Sequence, residues 1–209
     1  MNYSDLSLSE KLYVLMFVKN RQFSGSNFSV FTFALLFELL DGGFIYLGEE
    51  ELYMTPPQSS YNEVYDVCLN MIRGKGRKLN LSVFLHYVRK NRKLILELTR
   101  RRLIEKNFIK VSKKKVLVLT HKEYFMKDTD LDFFNKKILE DINSEIAIKD
   151  KSSILIMLLS RLRLFTSLIS RKFKQEEIFD YLKHYEAENN SCKIEYIDKR
   201  EKLVLRSLF

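Results

Sequence analysis

The side chains able to do acid–base, metal or nucleophilic chemistry are few and scattered in this chain. Three histidines (His86, His121, His184) and two cysteines (Cys68, Cys192) stand far apart in 209 residues, with no grouping at the spacing a metal site needs. Glu49, Glu50 and Glu51 read as a turn, not as two carboxylates facing one bond. Arg73-Gly74-Lys75-Gly76-Arg77-Lys78 holds two glycines but lacks the Lys-Ser/Thr ending of a phosphate-cradling loop. A Gly-x-Ser-x-Gly nucleophile turn is also missing. The expectation is a protein with no active site, no metal and no cofactor. Two cysteines are too few for a disulfide framework, and Cys68, on an apolar helical stripe, is expected to be a buried thiol.

The chemistry that the sequence does concentrate is anion binding. The chain has 36 Lys and Arg against 27 Asp and Glu, a formal charge of +9. Sixteen of those bases fall within residues 73–115, opposed only by Glu97 and Glu105, so this segment carries +14 and the remainder −5. Like charges packed so densely repel unless a counter-charge offsets them. An anionic bilayer does this with about 1 kcal/mol for each Lys or Arg held near its surface. Two sets of residues stand out. Arg89, Lys90, Arg92 and Lys93 are the expected headgroup-binding group. Lys113, Lys114 and Lys115, followed by Val116 and Leu117, read as the tip of a hairpin that grips phosphates while apolar residues enter the headgroup layer. The order basic helix, strand, basic turn, strand also fits a winged-helix DNA-binding regulator, with 92–106 as recognition helix and 112–115 as wing.

The elements that must position these residues are mostly helices. Only 6 Gly and 2 Pro interrupt a composition that is 46% hydrophobic and 30% charged. Ser7 and Glu10 form a capping box ahead of Leu8, Leu12, Leu15 and Met16 at helical spacing. A second helix over about 28–40 is stopped by Gly42-Gly43. Phe44–Leu47 and Leu52–Met54 suggest a short hairpin. A third helix carries Tyr61, Val64, Tyr65, Cys68, Met71 and Ile72 on one face, and helical sequence runs over 81–106 with a break near Asn91. Residues 108–119 switch to strand character as a second hairpin, with the turn at 112–115. Further helices are expected at about 130–147, 152–172 and 175–188, and the stretch 194–205 fits strand or helix equally. The reading is mainly α: a single helical domain over 1–209 with one or two short β-hairpins. Asp5 and Glu10 break up any secretory apolar core, and no apolar run reaches the ~20 residues of a membrane span. The expected setting is cytoplasmic, free or peripheral on a membrane.

Several short motifs, in order along nearly the whole chain, resemble the Golgi phosphoprotein 3 family. Leu6-Ser7-Leu8-Ser9-Glu10-Lys11 is similar to the family's Leu-Thr-Leu-x-Glu-Glu start. Ala34-Leu35-Leu36-Phe37-Glu38-Leu39 with Gly42-Gly43 is similar to its Met-Leu-Ile-Glu-Leu helix and Gly-Arg-Leu strand. Leu85-His86-Tyr87 and Leu103-Ile104-Glu105-Lys106 match its Leu-His-Tyr and Leu-Val-Glu-Lys-Gly, and Thr120-His121 falls at its Thr-His pair. The resemblance implies a helical domain that binds phosphatidylinositol 4-phosphate on the cytosolic face of the Golgi and holds membrane enzymes there by their cytoplasmic tails. It also implies a hairpin that enters the membrane or mediates self-association, and it makes nucleic acid an unexpected partner. Of the family's pocket, two arginines fall on Lys90 and Lys93 when the comparison is anchored on Leu85, and on Lys93 and Leu96 when it is anchored on Leu103-Ile104. A third falls on Thr32. The pocket's Trp has no counterpart, Phe23 and Phe28 being the nearest aromatics.

Overall fold

The computed structural model describes residues 2–18, 23, 25–48, 51–56, 60–116 and 119–143. The helices expected at 152–172 and 175–188, and the stretch 194–205, lie outside the described residues. So do Cys192 and His184.

Helix α1 (Leu8–Val18) begins at the capping box read from the sequence. The Ser7 N–H donates to Glu10 Oε2 at 2.9 Å, and the Ser7 hydroxyl accepts from the Glu10 N–H at 3.4 Å. Helix α2 (Gly25–Asp41) starts earlier than its apolar run and ends as expected. Gly43 adopts φ +69°, and Phe44 N–H reaches Leu39 C=O while Gly43 N–H reaches Leu40 C=O. That pair of bonds closes a helix end around a left-handed residue, where glycine carries no Cβ penalty.

The first sheet has three strands, β1 (Ile45–Leu47), β2 (Glu51–Met54) and β3 (Lys78–Asn80), in the order β1-β2-β3, all antiparallel. The hairpin over 44–54 is as expected, but the third strand is not. Lys78, read as the end of a loop, pairs with Tyr53, and Leu79 pairs with Leu52. Between β2 and β3 lies α3 (Glu63–Arg73), capped by the Asn62 side chain accepting from Val64 N–H at 3.0 Å. Tyr61 therefore precedes the cap and does not join the helical face. It has φ +48° and is 91% exposed. Asn80 caps α4 (Leu81–Lys90) in the same way, accepting from Ser82 N–H at 2.9 Å.

The 81–106 stretch breaks at Asn91, as its pattern predicts, into α4 and α5 (Arg92–Glu105). Strands β4 (Lys110–Val116) and β5 (Leu119–Phe125) form the second sheet, and α6 (Asp128–Asn143) follows. The architecture is mainly α with short antiparallel sheets. Residues from α1 to α6 share one hydrophobic cluster, including Leu12, Phe31, Leu35, Cys68, Phe84, Ile95, Phe108 and Phe134. Cys68 is fully buried, and burial pushes its thiol up to about 12. No described helix is long and apolar enough to cross a membrane.

Candidate anion-binding surface

The basic segment divides into two regions with opposite environments. The first is the second half of α5. Ile95, Thr99 and Leu103 recur every four residues and are buried, which fixes the rotation of the helix and turns Arg102 and Lys106 towards α1. There the Glu10 carboxylate, 3% exposed, accepts from Arg102 Nε at 3.1 Å and from Lys106 Nζ at 2.6 Å. Lys106 also donates to the Asp5 carbonyl at 2.7 Å. Glu10 thus caps α1 and anchors α5 with one side chain. Beside it, Arg100 Nε donates to the Tyr13 hydroxyl at 3.0 Å. The Arg100 guanidinium sits 4.6 Å from the Tyr124 ring centroid and 3.3 Å from Glu97. Burial pushes the Tyr13 hydroxyl above its usual range, and the neighbouring Arg100 opposes that shift. Arg101 pairs with Glu63 and lies 4.0 Å from Glu105. Four cations of the segment are therefore engaged within the fold.

The second region is the corner where α4 meets α5. Arg89, Lys90 and Lys93 are exposed and Arg92 is half-buried. Among the described residues none of the four has a carboxylate partner. Asn91 turns the chain, its Nδ2 donating to Tyr87 C=O at 2.9 Å, and makes no side-chain cap to α5. The positive end of the α5 dipole thus adds to the cations around it. Leu94, in the first turn of α5, is 48% exposed beside Lys93. The four headgroup candidates flank Asn91 at this corner, and the exposed Leu94 follows Lys93. Leu94 was not singled out from the sequence, although it stands off the Ile95–Thr99–Leu103 stripe. That offset was the available signal.

The hairpin differs from its expected form. Lys113, Lys114 and Lys115 are not a turn: they lie within β4, opposite Lys122, His121 and Thr120, and Val116 pairs with Leu119. Leu117 lies outside the described residues. The expected span of 108–119 becomes 110–125, and Phe108 and Ile109 are core residues at 1% exposure. The physical reason is pairing further along the chain: Val111 lies opposite Tyr124 and Lys110 opposite Phe125, a register that carries the lysines into β4. Lys113 and Lys122, both exposed, are left directly opposite each other, an arrangement that destabilises a strand pair unless an anion lies near. At the hairpin's base Lys110 lies 3.8 Å from Asp130.

His86 is exposed on α4. Among the described residues no group of three or more His, Cys, Asp or Glu converges to hold a metal. No protein-family model matches the chain, and no curated protein matches its sequence. Of the positions that the family resemblance marks, Lys90 and Lys93 sit together at the α4–α5 corner. Thr32 is buried at 3% exposure, its hydroxyl donating to Phe28 C=O at 2.9 Å. Phe28 is buried against Phe31, and Phe23 stacks on Tyr13 at 4.7 Å between ring centroids. These three residues are taken up in packing.

Proposed function

We propose that this chain is a peripheral membrane protein that docks on anionic phospholipid through the α4–α5 corner. The observation that carries the reading is the contrast within one segment. Arg100, Arg101, Arg102 and Lys106 each have an ion-pair partner in the fold, whereas Arg89, Lys90, Arg92 and Lys93 stand at a corner where none of them pairs with a described carboxylate. Lipid phosphates supply the missing charge, and Leu94 offers the apolar contact that distinguishes a bilayer interface from a merely charged partner. Phosphatidylinositol 4-phosphate is the first headgroup to test, because the family resemblance names it and because its extra phosphate suits four cations so close in the chain. A Golgi address and the retention of membrane enzymes by their tails belong to the same resemblance.

The test is co-sedimentation with vesicles of phosphatidylcholine alone, with phosphatidylserine, or with phosphatidylinositol 4-phosphate. Lys90→Glu combined with Lys93→Glu is expected to abolish sedimentation with either anionic lipid while leaving the thermal unfolding midpoint in place. Unchanged sedimentation would remove the proposal. Strong competition by duplex DNA, with steep salt dependence, would favour the winged-helix reading instead. That reading has less to use, since Arg100, Arg102 and Lys106 of its recognition helix are engaged by Tyr13, Glu97 and Glu10.

A further inference from the structure

The exposed side of α4 carries a second observation. Its ten residues read Leu-Ser-Val-Phe-Leu-His-Tyr-Val-Arg-Lys, with no carboxylate. Ser82, Val83, His86, Arg89 and Lys90 are exposed, while Leu81, Phe84, Leu85 and Val88 are buried. At 100° per residue the exposed five fall within an arc of about 120°, with His86 at its centre. The other described helices with an exposed face all present acids there: Glu63 and Asp66 on α3, Glu97 and Glu105 on α5, Asp128, Asp132 and Glu140 on α6. Val83, 38% exposed, lies two turns before Lys90 on one stripe, and Leu94, 48% exposed, lies just past the corner. The α4 arc thus runs from an apolar residue, past a histidine, to Arg89 and Lys90, and beyond the corner α5 opens with Arg92, Lys93 and the exposed Leu94.

We infer that α4 lies flat on the bilayer along its whole length, so that Val83 and Leu94 both reach the boundary between headgroups and acyl chains. This rests on the docking proposed above and fixes its orientation. A carboxylate-free arc fits an anionic surface because every acid held there would be repelled by the leaflet. A purely charged partner would satisfy the cations equally well, but it would leave the exposed Val83 and Leu94 without an apolar environment. The alternative geometry is contact at the corner alone, with α4 rising away from the lipid.

The chain contains no Trp, so one introduced indole reports without background. Val83→Trp and Leu94→Trp are titrated with phosphatidylcholine–phosphatidylserine vesicles, with and without brominated acyl chains. The expected result is a blue shift and bromine quenching at both positions. His86→Glu, which puts an acid at the centre of the arc without relying on the indole, is expected to weaken sedimentation about fivefold. Response at Leu94→Trp with none at Val83→Trp, and unchanged binding of His86→Glu, overturns the flat orientation and keeps the docking site. Silence at both positions, together with full binding of the Lys90→Glu, Lys93→Glu variant, overturns the docking proposal itself. Emission from Val83→Trp that is already blue-shifted in buffer shows the arc covered by protein and overturns the inference.

Discussion

The α1–α5 seam and the α4–α5 corner carry the same basic residue types, only a few turns apart in the chain, and they have opposite fates. At the seam one buried carboxylate, Glu10, collects Arg102 and Lys106, and a tyrosine hydroxyl holds Arg100. At the corner none of the four cations makes an ion pair with a described carboxylate, and the nearest acid along α5, Glu97, pairs with Arg100 instead. A run of positive charge is therefore not one feature. Its meaning is set by which of its members a distant acid reaches, and Glu10 lies 92 and 96 residues from its two partners.

Removing Glu10 breaks this comparison most sharply. Glu10→Ala leaves two cations facing a cavity without their acid and also removes a helix cap. Stripping one partner from a buried pair costs about 3–5 kcal/mol. Arg102 and Lys106 are 21% and 24% exposed, and water reaching them places the loss near the low end, about 3 kcal/mol. Chemical denaturation should show it as a lower midpoint with little change in slope. The corner behaves oppositely: Lys90→Glu with Lys93→Glu should leave the denaturation midpoint unchanged and lower vesicle partitioning at least tenfold. If the Glu10 variant kept full stability, or the corner variant lost it, the division would be wrong.

Glu38 sharpens the seam further. It accepts from Ser9 N–H at 2.7 Å and from the Ser9 hydroxyl at 2.8 Å, at the first turn of α1. Burial raises its pKa above the ordinary 4.5, and the Ser9 hydrogen bonds only partly oppose the shift. A raised carboxyl pKa means that the folded state binds the proton more tightly than the unfolded chain does. Stability should therefore fall as pH rises from the ordinary glutamate range through the raised value. Glu38→Gln should flatten that fall in denaturation measured across mildly acidic to neutral pH. A dependence unaltered by the substitution would assign it to other groups. The corner has no comparable buried carboxyl, and its substitutions should leave the pH profile as it is.

Much of this was legible in the sequence wherever local rules decide. Ser7 and Glu10 announced the start of α1, Gly42-Gly43 the end of α2, and Asn91 the break between α4 and α5. Each depends on residues within one or two turns. The failures depend on partners further away. Lys113–Lys115 look like a turn because lysine has little strand preference, yet the pairing of Val111 with Tyr124 and Lys110 with Phe125 draws them into β4. Lys78–Asn80 is too short to read as a strand until β2 is there to pair with it. The candidate site shows the same limit. Its charge was countable, but which cations were already engaged could not be known without the contact between α1 and α5.

The smallest expected effect concerns the hairpin, which stands between the two regions: its base is tied to the seam through Arg100 and Tyr124, and its lysines resemble those of the corner. Lys113→Glu replaces a like-charged pair with an opposite pair across from Lys122. Such a swap is worth about half a kcal/mol in favour of folding, a rise in the unfolding midpoint that careful calorimetry can resolve. The same substitution removes a cation that an anionic surface would attract. A higher midpoint with weaker vesicle sedimentation therefore ties the hairpin to the docking surface, whereas a higher midpoint with unchanged sedimentation leaves docking to α4 and the corner. An unchanged midpoint would mean that the two lysines do not repel each other across the strands, and the case for an anion between them would fall with it.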